Sequence, residues 1–158
     1  MARSPLPRAD QQPGRALLSF VACAVVVRRD AVLQAGGFCE RFEIGGEEKL
    51  LGWDLLAAGW QMSYLPEVVA RHCPPSNDGR PRRRVQALRN EIWINWLRRS
   101  PAAAARATIR ELRRSRPDGA TARALAEVVV GAPWVWRQRR RCPAWVEQLI
   151  ALAEDEAG

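Results

Sequence analysis

Lysine is nearly missing from this chain: Lys49 stands alone beside 24 arginines, and there is one histidine, His72, and one tyrosine, Tyr64. A single imidazole without partners at ligand spacing argues against a histidine-built zinc centre. The four cysteines, Cys23, Cys39, Cys73 and Cys142, form no Cys-x-x-Cys pair, and no secretory apolar region precedes them. They are expected as reduced thiols, with neither a structural disulfide nor structural zinc. Long apolar runs are missing as well, since the stretches around Phe20 to Val27 and Val128 to Trp136 are far shorter than the ~20 residues of a membrane-spanning helix. Nor is there a GxxxxGK, a GxGxxG after a strand, an HExxH or a GxSxG, which removes the phosphate-loop, dinucleotide, zincin and serine-hydrolase readings.

What is present is arginine, unevenly placed. The 158 residues carry a formal charge of +8, and the excess lies in the second half, where residues 78 to 158 hold seventeen arginines against nine acids. Such a half suits nucleic acid, anionic lipid or a phosphorylated ligand. The clusters Arg82 to Arg84 and Arg137 to Arg141 could contact phosphates, yet no recognised nucleic-acid module surrounds them, and a solvated helix face is the plainer reading.

Read in order, residues 1–16 are proline-rich and polar and are expected as a disordered lead-in. Leu17 to Val27 reads as a buried strand, Asp30 as the cap of a short helix over Ala31 to Ala35, and Gly36-Gly37 as its stop. Phe38 to Ile44 is expected as a loop with Phe38 and Phe42 inward. Gly45-Gly46-Glu47-Glu48 opens a helix from Glu47 to about Ala58, capped by Gly59, with two carboxylates in its first turn. Two short strands are expected at Gln61 to Tyr64 and Val68 to Arg71, and Pro74 to Gly79 is a breaker. Amphipathic helices then follow over Arg82 to Arg98, Pro101 to Arg114, Thr121 to Val130 (ending before Pro133) and Ala144 to Glu154. The division is 1–16 lead-in, 17–79 α/β part and 80–158 arginine-rich helical tail.

In residues 20 to 72, the order of Phe20 to Leu33, Gly36-Gly37-Phe38, Gly46-Glu47-Glu48, Gly59-Trp60, Leu65-Pro66 and His72 resembles the C-terminal half of the catalytic domain of family-two glycosyltransferases. Arg89 to Trp93 and Pro133 to Arg141 resemble the helical tails of bacterial members that build surface polysaccharide. The resemblance implies a partial GT-A α/β fold and an inverting transfer of sugar from a nucleotide-diphosphate donor to a polysaccharide or lipid-linked acceptor. It makes Glu48 the general base, Glu47 its orienting neighbour, Trp60 and Arg41 substrate contacts, and His72 a ligand, together with the missing Asp-x-Asp, of a divalent cation (Mg or Mn) that the complete enzyme would hold and this chain alone would not. It assigns nucleotide binding and an Asp-x-Asp to an N-terminal half that these residues do not supply. The expectation is therefore a truncated or split enzyme, inactive alone, with a separately encoded half as partner and a peripheral place on the cytoplasmic membrane face. The alternative is a non-enzymatic basic helical module for anionic membrane or nucleic acid, the latter disfavoured.

Overall fold

The computed structural model describes Leu6, residues 12–73 and residues 80–155, with the side chains of Arg80 and Pro81 outside that description. Most of the expected lead-in and the Pro74 to Gly79 breaker therefore lie outside the described residues. Within them the chain is overwhelmingly helical, in the order β1 (Arg15–Ala16), α1 (Arg29–Ala35), α2 (Glu47–Ala57), β2 (Ser63–Tyr64), α3 (Arg80–Arg98), α4 (Pro101–Arg114), α5 (Gly119–Gln138) and α6 (Ala144–Asp155). It divides into two compact units, one made of residues 1–39, 48–75 and 142–158, the other of residues 40–47 and 76–141.

The partial GT-A fold is corrected by this architecture. A nucleotide-sugar domain needs a parallel sheet covered by helices, whereas the described residues hold one two-stranded antiparallel ladder, pairing Arg15 with Tyr64 and Ala16 with Ser63. The apolar run from Phe20 to Val27 is not a strand: Ala22–Ala24 make a 3-10 turn and Val26 is 89 % exposed. Continuous hydrophobicity misled because it does not reveal whether a neighbour exists to pair with. Val68 to Arg71 is likewise irregular and exposed.

In the first unit, Phe20 packs with Ala31 and Ala35 of α1 and with Leu51 and Leu55 of α2, covered by Val25, Val27, Trp60 and Met62. Helix α2 is apolar on several sides, with Leu50, Leu51, Trp53, Leu55 and Leu56 all buried. It ends as its sequence requires. Gly59, at φ +88°, donates to Leu56 O at 2.8 Å while Trp60 N donates to Leu55 O at 3.0 Å, a left-handed cap that only glycine enters cheaply. Asp30 is a first-turn residue of α1 and not its cap, since the helix begins one residue earlier at Arg29.

The second unit is built on α3, which packs against both α4 and α5. Its buried side chains include Val85, Ile92, Trp93, Ile94 and Leu97, but also Gln86, Arg89, Asn90 and Asn95. The α4 face contributes Ala103, Ala104 and Ala107, whose small side chains admit a close neighbour. Ser100 caps α4, accepting from Ala103 N, and Asp118 caps α5, accepting from Thr121 N at 3.0 Å.

Candidate functional site

The loop that precedes the paired glutamates is held by a buried amide. Asn90 Nδ2 of α3 donates to Phe42 O at 2.9 Å and to Gly45 O at 2.6 Å, and Asn90 is 1 % exposed. Glu43, Gly45 and Gly46 all have positive φ. Positive φ is easy for the two glycines but costly for Glu43, and the bonds from Asn90 to the carbonyls on either side of it help hold the loop in that form.

The residues the glycosyltransferase resemblance singled out stand as follows. Glu48, half-buried in the first turn of α2, accepts from Ala22 N at 3.5 Å, and no hydrogen bond or ion pair joins it to His72. Glu47 is half-buried beside it in sequence. His72 is exposed in a segment with neither helix nor strand. Trp60 Nε1 donates to Gln34 Oε1 at 2.8 Å, with Arg28 5.8 Å from its ring centre. Arg41 lies 5.0 Å over the ring of Trp134, both within the second unit. Among the described residues no group of three or more His, Cys, Asp or Glu side chains could hold a metal ion. No disulfide joins any of the four cysteines.

Two surfaces of the second unit were not singled out in sequence. The first is a groove of about 930 Å³ whose charged lining is Arg41, Glu43, Arg82, Arg89, Arg123 and Glu127. Glu43 Oε2 accepts from Arg82 Nη2 at 3.0 Å and also from Gln86. Glu127 accepts from Arg89 Nη1 at 2.8 Å and, through its other oxygen, from Arg123 Nε at 3.2 Å. Arg89 lies 4.7 Å over the ring of Trp93, itself edge-on to Phe42 and 5.4 Å from Trp134. Beside the groove, the hydrogen bond from Arg84 at 2.6 Å, then that from Thr121 N, draws the Asp118 carboxyl down to about 2.

The second surface is the outward side of α5. Ala122, Ala126, Val129, Val130, Pro133 and Trp136 are all exposed at spacings of three and four, so they form one apolar stripe. Val129 is 72 %, Val130 81 % and Trp136 74 % exposed. Arg123 and Arg137 border the stripe, and the exposed Arg140 and Arg141 follow it. The signal was legible in the spacing of Val129, Val130, Pro133 and Trp136, but stopping the helix before Pro133 cut the stripe in half.

No family model, curated protein or solved structure matches this chain. The glycosyltransferase assignment therefore rests on a resemblance that the helical architecture and the lack of a metal-capable cluster among the described residues overturn. Among the described residues, no helix is long and apolar enough to cross a membrane.

Proposed function

We propose that the second unit is a non-enzymatic, arginine-rich helical module that docks peripherally on anionic bilayers through the outward side of α5. One observation carries this reading: an unbroken exposed apolar stripe ending in Trp136 runs directly into Arg137, Arg140 and Arg141. Aliphatic side chains exposed together are costly in water and gain by entering the acyl boundary, while an indole at their end suits headgroup depth. Each arginine near an anionic surface adds about 1 kcal/mol. A nucleic-acid groove would offer charge and stacking but nothing to cover Val129 and Val130, so lipid is the better partner. The anionic cytoplasmic leaflet is the surface such a module would meet.

Flotation with phosphatidylglycerol vesicles, set against phosphatidylcholine vesicles and a gel-shift panel of nucleic acids, tests this. Binding to the anionic vesicles that declines with salt is expected. Sequence-selective nucleic-acid binding that survives moderate salt, with no flotation, would overturn it.

A further inference from the structure

The groove on the second unit invites a separate conclusion. Its charged lining comprises four arginines and two glutamates, a formal excess of two positive charges in one concavity. We infer that this groove is a binding site for a dianionic phosphoryl group, presented by a small phosphate monoester or by a phosphomonoester lipid headgroup.

Arg89 is the centre of the site. It lines the groove yet is only 8 % exposed, and it is fixed on three sides: Nη1 on Glu127 at 2.8 Å, Nε on Asn90 Oδ1 at 3.0 Å, and its plane over Trp93. The remaining nitrogen, Nη2, is buried and has no hydrogen-bond partner among the described residues. A buried guanidinium donor without an acceptor is unfavourable, and a phosphoryl oxygen is the acceptor that a planar arginine fork matches best. Asn90, Trp93 and Glu127 hold this fork in place before any ligand arrives, and because Nη2 is closed to solvent, a phosphoryl oxygen reaches it only as the groove lining shifts on binding.

Arg82 and Arg123 complete the cradle as movable arms. Their side chains are 77 % and 74 % exposed, and their ion pairs with Glu43 and Glu127 are of the exposed kind that contributes about 0–1 kcal/mol. A doubly charged phosphoryl group competes for them successfully, because charge-assisted hydrogen bonds are worth more, about 1.5–3 kcal/mol each. The first-turn backbone of α5, at Gly119 and Ala120, also borders the groove. A phosphate monoester carries about −1.5 to −2 charge at neutral pH, which matches the excess of the lining. A monoanionic sulfate ester leaves part of it unbalanced. Val85 and Val130 on the wall leave apolar surface for the organic portion.

The test is calorimetric titration of the full chain with glycerol 3-phosphate and with methyl sulfate, together with flotation on phosphatidic acid vesicles against charge-matched phosphatidylglycerol vesicles. Saturable one-to-one binding of glycerol 3-phosphate over methyl sulfate, weakened about tenfold by Arg82→Gln and by Arg123→Gln, supports a soluble ligand. No binding of either soluble probe, with a preference for phosphatidic acid that Arg123→Gln removes, supports the headgroup. Absence of both responses overturns the inference, as does binding that is indifferent to Arg82→Gln and Arg123→Gln in variants of unchanged helix content. Arg89→Gln is expected to abolish binding, but because Arg89 is buried the two exposed arginines decide the case. Trp136→Ala leaves the glycerol 3-phosphate titration unchanged, so failure of the bilayer reading and failure of this one are distinguishable.

Discussion

The indole of Trp93 fills the space that a side chain at Gly131 would need: a methyl group there would stand 2.2 Å from Cζ2 and 2.7 Å from Cε2. Trp93 is 5 % exposed and belongs to the aromatic cluster with Phe42 and Trp134, so the ring has little freedom to retreat. Ordinary helix propensity favours alanine over glycine by about 1 kcal/mol. Overpacking a core costs about 1–3 kcal/mol, and at this position it wins. Gly131→Ala is expected to lower the urea midpoint, and a raised midpoint would show that α5 and α3 can separate without penalty.

Asn90 offers a sharper contrast between two substitutions. Replacing it by alanine leaves the carbonyls of Phe42 and Gly45 without their donor, at a cost of about 1–3 kcal/mol for each that stays buried. Asn90→Asp keeps the size but points a carboxylate at carbonyl oxygens, so it should destabilise at least as much at neutral pH. Denaturant unfolding of both variants checks the order. An aspartate variant as stable as wild type would mean that the loop at Glu43 to Gly46 is held by something other than this amide.

The sequence made such loops and caps legible but not what they assemble. Gly36 and Gly59 were readable as helix stops because each is a glycine directly after an apolar period, and both take positive φ there. Pro101–Arg114 forms as expected, since Ser100 and Pro101 are a start signal that needs no distant partner. By contrast, α5 runs through Pro133 to Gln138. A proline removes one N–H, and the carbonyl it strands, that of Val129, lies on an exposed stripe where solvent can serve it. The groove was hidden for another reason: Arg89 and Glu127 are 38 residues apart, and no local pattern connects them. Phe20 to Val27 failed in the opposite direction, because an apolar run states a wish to be buried and says nothing about pairing.

Asp118 carries a prediction in pH. Its folded value, about 2, lies below the ordinary 3.8, so the carboxylate favours the folded state wherever it is ionised in both states. That contribution is fully present above the unfolded value and disappears as pH falls through the folded one. Asparagine caps a helix about as well as aspartate, so Asp118→Asn removes the charge and leaves the cap. The gap in melting temperature between wild type and Asp118→Asn is expected to be widest above about pH 4 and to close toward pH 2. A gap that does not change across that window would show that Arg84 gives no charge-dependent support to α5.

The last prediction separates charge from burial on the outward side of α5. Arg140 and Arg141 are exposed, so replacing both by glutamine should remove about 2 kcal/mol of attraction and weaken partition onto phosphatidylglycerol vesicles about thirtyfold at low salt. The defect should shrink as salt rises, because the screening length falls from about 10 Å at 0.1 M to about 3 Å at 1 M. Trp136→Ala removes an apolar anchor instead, worth about 1.5–3 kcal/mol if fully buried in the bilayer boundary, and its tenfold or greater defect should persist at high salt. Arg139 supplies the control. Its guanidinium donates to Trp96 O at 2.9 Å and Arg99 O at 2.7 Å, so it ties α5 to the end of α3 and is not free for lipid. Arg139→Gln is therefore expected to lower unfolding stability, with less loss of vesicle affinity than either exposed arginine gives. Should Arg139→Gln reduce flotation as much as the Arg140 and Arg141 pair while Trp136→Ala has no effect, binding would follow total charge alone, and the apolar stripe would have no part in it.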